Sequence, residues 1–204
     1  INKANKIVAI TNAVKRFLIK RYNINERKVS IIYYSFDPSI YVSKNNSDEF
    51  NIYKNGKIYI GIVARLVNQK RVDLLIKAFK EVNRSNKKIV LVILGDGENK
   101  SALKGLSNTL NLKQNIIWIN YSEFVIQHMK RWSLFCLTSQ YEGFGLVILE
   151  AIYAGLPIVA MDVSSIKDIV GPCGETVAFG DYFAFSEKIK YVLEHKINYL
   201  KIKH

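Results

Sequence analysis

The sequence predicts an α/β protein built on a doubly wound parallel sheet that is covered by helices on both faces. Two observations indicate this fold. Short runs of β-branched and other apolar residues alternate with longer segments of helical period, and runs such as "KIVLVILG" are apolar at nearly every position. Strands that are apolar on both faces, each followed by a helix, are typical of a parallel sheet buried between two layers of helices.

The predicted elements follow one another in two groups, identified by the period of their apolar residues. The first group reads as strand, helix and strand, with the sequences "KIVAIT", "NAVKRFLIKRY" and "KVSIIYY". The strands of the second group are "KIYIGIVA", "KIVLVILG", "NIIWIN", "SLFCLTS", "PIVAMD" and "GETVAF". Its helices are "VDLLIKAFKEVNR", "ENKSALKGLSNTLN", "EFVIQHMKRW", "GLVILEAIYAG" and "YFAFSEKIKYVLEHKINYL".

A polar, turn-rich stretch, "SKNNSDEFNIYKNG", separates the two groups, and such composition is typical of a linker between domains. We therefore expect residues 1–44 to be the end of one domain, residues 45–56 a linker, and residues 57–204 a second domain. The first residue is Ile1 rather than Met, so we expect the chain to be a piece of a longer protein.

Composition argues against several classes of protein. The two cysteines lack metal-binding spacing and the three histidines are scattered, so we expect no metal and no cofactor. The longest apolar stretch, residues 146–161, is interrupted by Glu150 and Pro157, so we expect no transmembrane helix. These features favour a cytoplasmic location, including the inner face of the membrane.

The net charge of +13 is unevenly distributed, because residues 1–30 carry eight lysines and arginines against the single acid Glu26. Several of these basic residues fall on the predicted helix "NAVKRFLIKRY". Three interpretations remain open: a solvated helix face, contact with an anionic membrane surface, or binding of nucleic acid. No nucleic-acid-binding motif is present, so we expect no nucleic acid partner.

The loops that follow the strands are the places to search for a site, because open α/β sheets bind ligands at the carboxyl ends of their strands. In "SQYEGFGL", Gly143 and Gly145 permit a tight turn and a close backbone approach to a ligand. The start of the following helix offers amides to an anion or to sugar oxygens. Glu142 stands at the mouth of this turn, and Glu150 lies deeper, where a diol such as a ribose would satisfy its carboxylate.

Two further loops carry charged or glycine-rich patterns. In "ARLVNQKR", Arg65 and Lys70 can converge on a diphosphate, with Arg71 adding to them, whereas the loop taken by itself also fits a solvated basic turn. The stretch "LGDGE" resembles the start of a dinucleotide fingerprint but lacks its third glycine, so an ordinary strand-to-helix turn is the favoured interpretation.

Taken together, these loops resemble the C-terminal, nucleotide-sugar-binding domain of GT-B glycosyltransferases, and most closely the retaining family 4 of the "glycosyl transferases group 1" type. The E-x7-E motif of that family is present as "EGFGLVILE", followed by "AIYAGLP", and its Arg-Leu-x-x-x-Lys loop is present as "RLVNQK". The resemblance covers residues 57–197 or thereabouts, and the first group of elements looks like the last part of the family's N-terminal domain. It implies a Rossmann-like sheet preceded by a remnant of the N-terminal, acceptor-binding domain.

The resemblance also implies roles for the site residues. As catalytic residues, Glu142 would contact the transferred sugar and stabilise developing positive charge, while Arg65 and Lys70 would neutralise the diphosphate leaving group. Glu150 would hold the ribose hydroxyls. The other binding contacts would be the backbone amides of Phe144, Gly145 and Leu146 to the donor sugar or phosphate, and Tyr121 and Ser122 to the base.

The implied function is a retaining transfer of a sugar from a nucleoside-diphosphate donor, of the UDP or GDP type, to a glycan or lipid-linked acceptor in polysaccharide biosynthesis. No metal is implied, because the basic loop does the work of a divalent ion. The family's acceptor site belongs to the N-terminal domain, so we expect this chain alone not to complete the transfer. Two alternatives remain: a nucleotide-sugar epimerase of the same architecture, and a non-catalytic nucleotide-sugar-binding module.

Overall fold

The computed structural model describes residues 3–35, 37 and 48–195, and strands and helices alternate along them as the sequence predicts. The strands are β1 (Ile7–Ala9), β2 (Val29–Ile31), β3 (Ile58–Val63), β4 (Ile89–Leu94), β5 (Ile116–Ile119), β6 (Leu134–Leu137), β7 (Ile158–Asp162) and β8 (Gly174–Ala178). The helices are α1 (Asn12–Tyr22), α2 (Val72–Ser85), α3 (Lys100–Thr109), α4 (Val125–Met129), α5 (Leu146–Tyr153), α6 (Ile166–Val170) and α7 (Tyr182–Glu194).

Six of the strands form one parallel sheet in the order β5-β4-β3-β6-β7-β8. The chain winds outward from β3 to β5, then returns to the other side of β3 and continues from β6 to β8. This reversal places the topological switch point between β3 and β6, where doubly wound sheets bind their ligands. The α/β fold with a doubly wound parallel sheet is therefore confirmed.

Strand β4 shows why this sheet is buried on both faces. All six of its residues are buried, and they alternate between two hydrophobic cores. Leu91 and Ile93 pack into the core that also contains residues of α2, α3 and α7. Val92 and Leu94 pack into the core on the other face, which contains residues of α4, α5 and α6. Because successive side chains of a strand point to opposite faces, one continuous apolar run packs against the helices on both sides of the sheet.

Helix α6, a five-residue helix that follows β7, was not predicted from the sequence. Its sequence, "IKDIV", is too short to show a helical period, and only its packing against the sheet identifies it. The predicted closing helix reaches Glu194 in the structure, and its last predicted residues lie beyond the described part of the chain.

The first group of elements forms a small unit of its own, in which β1 and β2 pair in parallel with Ile7 opposite Val29. Helix α1 begins after Thr11, whose side chain accepts a hydrogen bond from the amide of Val14 at 3.1 Å, an N-cap that the sequence did not single out. The helix ends at Asn23, which adopts the left-handed conformation typical of a helix end.

The described part of the predicted linker, residues 48–56, packs against the large sheet. Tyr53 lies at the centre of this contact, where its hydroxyl is 2.7 Å from His128 Nδ1 and accepts a hydrogen bond from Trp132 Nε1 at 3.0 Å. His128 Nε2 lies 2.8 Å from Glu49 Oε1. Residues 45–47 lie outside the described part of the chain. The proposed domain limits at residues 44 and 57 stay a prediction.

Every helix in residues 3–35, 37 and 48–195 is too short or too polar to cross a membrane.

Candidate functional site

Two loops meet at the switch point between β3 and β6, and hydrogen bonds join them. The backbone amide of Gln140 donates to the carbonyl oxygen of Gln69 at 2.8 Å, and the side chain of Gln69 donates to the carbonyl oxygen of Tyr141 at 2.9 Å. The buried Thr138 hydroxyl donates to the carbonyl oxygen of Lys70 at 3.0 Å. The two loops that carry the sequence motifs therefore form one connected surface.

The pairing of Lys70 with Glu142 is the centre of this surface. Lys70 Nζ lies 2.5 Å from Glu142 Oε1, and the side chains are only 16% and 10% exposed. The hydroxyl of Ser139 donates a second hydrogen bond to the same carboxylate oxygen at 2.6 Å. This charge-assisted arrangement fixes both functional groups at the mouth of the strand-to-helix turn.

Gly145 shapes the turn that leads into α5. Its φ of 78° lies in the left-handed region, and a Cβ at this position would approach the Cδ1 atoms of Ile148 and Ile166 to 3.2 Å. An L-residue would therefore meet both backbone strain and crowding here. The glycine lets the turn close tightly, and the backbone at the start of α5 then faces the cleft beside Glu142.

A cleft of about 390 Å³ lies over these loops, and it brings together seven of the nine residues predicted for the site. Those residues are Arg65, Lys70, Glu142, Phe144, Gly145, Leu146 and Glu150. Arg65 and Lys70 come from the loop after β3, while the other five belong to the loop after β6 and the first turns of α5. The cleft therefore combines two cations, two carboxylates and a helix start.

Two residues of the first group of elements, Ile10 and Tyr34, complete the wall of the cleft. The ring of Tyr34 packs edge-on against that of Phe144, with 5.3 Å between the ring centroids. Neither residue could be predicted from the sequence because no motif marks them, and the tertiary contact between the small unit and the sheet brings them to the site.

The other two predicted site residues do not line this cleft. Tyr121 is 78% exposed, in the loop after β5. Ser122 is buried, and its hydroxyl accepts a hydrogen bond from the amide of Phe124 at 2.9 Å. Their contact with a nucleotide base stays a prediction.

Arg71, which the sequence analysis expected to add to the diphosphate site, turns toward α2. Its guanidinium bonds both carboxylate oxygens of Asp73, at 2.9 and 3.0 Å. Burial raises the pKa of Asp73, but the hydrogen bonds and charge of Arg71 outweigh it and lower that pKa. Arg71 is thus occupied as a partner of Asp73, and Arg65 and Lys70 are the cations that line the cleft.

The histidine, cysteine, aspartate and glutamate side chains are scattered over residues 3–35, 37 and 48–195. No group of three or more histidine, cysteine, aspartate or glutamate side chains is placed there to hold a metal ion. Cys136 and Cys173 are both free thiols, and burial raises the pKa of each.

The fold and the cleft at the switch point define the chain as a Rossmann-like domain of the GT-B glycosyltransferase class. Residues 43–204 match the model of the family "Glycosyl transferases group 1", and the chain belongs to this family. The resemblance inferred from the motifs is therefore confirmed.

Two glycosyltransferases of Staphylococcus aureus are similar in sequence to this chain. The chain is 28% identical over 200 residues to the capsular polysaccharide biosynthesis glycosyltransferase CapM of Staphylococcus aureus, covering 93% of this chain and 52% of that protein. It is 27% identical over 162 residues to a poly(ribitol-phosphate) alpha-N-acetylglucosaminyltransferase of Staphylococcus aureus, covering 79% and 31%.

Among solved structures, HepE of Anabaena in complex with UDP-glucose superposes with a TM-score of 0.85 at 23% identity, covering 99% of this chain and 58% of that one. This likeness shows the shared fold. The chain spans about half the length of CapM and less of the second relative.

Proposed function

We propose that this chain is the donor-binding part of a retaining glycosyltransferase that uses a nucleoside-diphosphate sugar. The observation that carries the proposal is the Lys70–Glu142 pair, held at 2.5 Å in a cleft that also contains Arg65 and Glu150. A diphosphate needs cations, the hydroxyls of a ribose need a hydrogen-bond acceptor, and a transferred sugar needs a carboxylate near its ring. The cleft contains two cations for the diphosphate, Glu150 for the ribose and Glu142 for the sugar.

Three of the donor's four parts, the diphosphate, the ribose and the sugar, are assigned to groups of the cleft. Arg65 and Lys70 bind the diphosphate, because the guanidinium and ammonium groups supply charge-assisted hydrogen bonds to phosphate oxygens. Glu150 accepts hydrogen bonds from the ribose hydroxyls. The backbone amides of Phe144, Gly145 and Leu146, at the start of α5, bind the donor sugar or phosphate. A UDP-type donor is favoured over GDP because the fold neighbour HepE was solved with UDP-glucose.

The chemical step follows from the charges in the cleft. The bond between the sugar's anomeric carbon and the leaving phosphate oxygen breaks, and the electron pair stays on the phosphate. Arg65 and Lys70 stabilise that negative charge, and Glu142 stabilises the positive charge on the sugar. The acceptor hydroxyl forms the new bond on the same face, and its proton passes to the leaving phosphate oxygen. This front-face route retains the anomeric configuration and needs neither a metal nor a covalent enzyme intermediate.

The acceptor is a glycan or a lipid-linked glycan in this proposal. Support comes from the relatives, whose names specify capsular polysaccharide biosynthesis and transfer to poly(ribitol-phosphate). We expect the chain alone not to complete efficient transfer, because it spans only about half of CapM and the family resemblance implies that most of the acceptor site belongs to the N-terminal domain.

Helix α1 is proposed to rest on an anionic membrane surface, where a lipid-linked acceptor would be presented. Arg16, Lys20 and Arg21 are exposed on this helix, and its first turn contains no acid. The exposed Phe17 ring lies among them and packs edge-on against Tyr22. Basic residues with neighbouring aromatic side chains are suited to the interface of an anionic bilayer.

The experiment that tests the proposal is a calorimetric titration of the chain with UDP, GDP, ADP and their hexose conjugates, followed by NMR of the tightest-binding conjugate during incubation. We expect binding of one nucleotide series and slow release of free sugar, with water replacing the acceptor, and Glu142→Gln should lower the rate of that release by roughly 100-fold or more. Conversion into a second sugar nucleotide would establish the epimerase alternative. An unchanged sugar nucleotide would favour the binding module, and no binding at all would exclude the donor site.

A further inference from the structure

A second cavity, of about 290 Å³, lies between the small N-terminal unit and the sheet domain. The N-terminal unit contributes Thr11, Asn12, Tyr33 and Tyr34 to its wall. The sheet domain contributes Phe144 and residues of α5 and α6. None of the roles assigned to the donor cleft uses this space.

The second cavity adjoins the donor cleft through a shared wall. Tyr34 and Phe144 line both spaces, and their rings meet edge-on at an interplanar angle of 85°. A group bound in the second cavity is therefore one aromatic pair away from the residues proposed to hold the donor. A transferase holds its second reactant next to the donor, and this cavity lies next to the proposed donor cleft.

Ser165 gives this cavity an unused polar group. The residue is only 2% exposed and lines the cavity, and its hydroxyl has no hydrogen-bond partner among the described residues. Ser165 stands directly before α6, where a serine hydroxyl ordinarily caps the helix, but it makes no capping bond here. A buried hydroxyl without a partner is rare in proteins and calls for an explanation, such as a ligand.

The rest of the wall has the chemistry that carbohydrates require. Asp168 is exposed on the cavity wall and offers a carboxylate to hydroxyl groups. The side chain of Asn12 donates to the hydroxyl of Tyr33 at 3.2 Å, which leaves that O–H free to donate. The rings of Tyr33 and Tyr34 supply apolar surface for the C–H face of a sugar. The volume stands at the lower end of the ~300–1,000 Å³ range of ligand pockets, which suits a single sugar ring.

We propose that the second cavity is a carbohydrate subsite that holds one sugar residue of the acceptor, with the Ser165 hydroxyl bonded to a sugar hydroxyl. As an acceptor subsite it rests on the function proposed above, since its position matters only if the neighbouring cleft holds a donor. As a carbohydrate site it rests on the cavity, the unpartnered hydroxyl and the two tyrosines alone.

The test is saturation-transfer NMR of the chain with methyl glycosides of glucose, galactose and N-acetylglucosamine, at a UDP concentration that saturates the donor cleft. We expect at least one glycoside to bind with UDP present. Ser165→Leu, which fills the cavity, should abolish that binding. Ser165→Ala should weaken it by roughly three- to tenfold, the effect of one lost hydrogen bond. Ser101→Ala, an exposed serine on α3, is the matched control and should bind as the parent chain does.

Ser165→Ala keeps the test decisive if the leucine variant does not fold, because it removes a hydroxyl that bonds nothing and should leave stability intact. The subsite is overturned if no glycoside binds with UDP present, or if both Ser165 variants bind like Ser101→Ala. A separate calorimetric titration with UDP distinguishes the two proposals. If UDP binds and no glycoside binds, the subsite alone is overturned. If a glycoside binds in a way that depends on Ser165 and UDP does not bind, the subsite is supported and the donor site is overturned.

Discussion

Lys70 Nζ lies 2.5 Å from Glu142 Oε1, although the two residues are 72 positions apart in the chain. Neighbouring strands bring them together, because β3 and β6 pair in parallel with Ile60 opposite Leu134 and both loops leave the same edge of the sheet. The lysine thus holds the carboxylate in place before any donor is bound. A donor diphosphate would compete for Lys70 and release Glu142 to face the sugar.

The first prediction concerns Glu142→Gln, which removes the negative charge that Lys70 neutralises. We expect UDP to bind with unchanged affinity, or up to about tenfold more tightly, because its phosphates no longer compete with a carboxylate for the lysine. Release of sugar from the bound donor should fall by roughly 100-fold or more, because the developing positive charge loses its stabilising group. Calorimetry and a nucleotide-release assay measure the two effects. Weaker UDP binding by this variant would contradict the assignment of Glu142 to the sugar.

Gly145→Ala should destabilise the fold and weaken donor binding together. The alanine would have to adopt the left-handed conformation, and its Cβ would approach Ile148 and Ile166 at 3.2 Å, so we expect a loss of about 1–2 kcal/mol in the free energy of unfolding. Gly105→Ala is the matched control. Gly105 lies inside α3, and a Cβ added there would meet no atom within 4 Å, so alanine should stabilise by about 0.5–1 kcal/mol. Urea unfolding of both variants gives the comparison, and equal effects would contradict this role of Gly145.

The sequence predicted the large sheet well because its strands are buried on both faces and leave long apolar runs. Strand β4 and helix α2, for example, are found within one residue of their predicted limits. The motif residues of the cleft could also be predicted, because two loops on neighbouring strands carry them. Two features could not be predicted: the position of Tyr34 in the wall of the cleft, and the lack of a hydrogen-bond partner for the Ser165 hydroxyl. They depend on how the small unit packs against α5 and α6, and no local pattern encodes that contact.

The free energy of unfolding should decrease as the pH is lowered, because His128 becomes protonated. Burial lowers the pKa of His128 below its ordinary value of 6.5, although the hydrogen bond with Glu49 acts in the opposite direction. Because the Glu49 carboxylate can only accept, we assign His128 Nε2–H as the donor to Glu49, and the Nδ1 atom of the neutral ring then accepts from the Tyr53 hydroxyl. The unfolded chain then binds the proton at a higher pH than the folded chain does.

The free energy of unfolding therefore decreases as the pH falls below about 6.5 toward the lowered pKa of the folded state. Glu49 acts in the same direction at lower pH. Burial raises its pKa, but hydrogen bonds with Ser122 and His128 outweigh this and hold the pKa below 4.5. Urea unfolding at pH 7.5 and 5.5 measures the effect. His128→Gln should cost about 2 kcal/mol at pH 7.5 and should flatten the dependence between these pH values. An unchanged slope in this variant would show that other groups titrate.

The membrane prediction concerns the exposed basic residues of α1. Replacing Arg16, Lys20 and Arg21 with alanine should weaken binding to vesicles that contain phosphatidylserine by roughly 100-fold, at about 1 kcal/mol for each charge. The measurement is co-sedimentation at low and physiological salt, and the parent chain should lose binding as the salt rises. A control variant removes three exposed lysines of the sheet domain, namely Lys57, Lys88 and Lys113. Equal losses in both variants would indicate nonspecific attraction by net charge, and α1 would then have no special role.

The most direct test of the donor site is the affinity for UDP of the parent chain and of Lys70→Ala, measured by calorimetry. The double variant Lys70→Ala/Glu142→Gln is measured as well, because Lys70→Ala alone leaves the Glu142 carboxylate without its lysine partner. Lys77→Ala, a lysine of α2 outside the cleft, serves as the control. We expect UDP to bind the parent chain and the control alike, and to bind both Lys70 variants roughly 10- to 100-fold more weakly, which is the loss expected for a charged hydrogen bond. If UDP does not bind the parent chain, or if the Lys70 variants bind it as tightly as Lys77→Ala does, the cleft is not a diphosphate site.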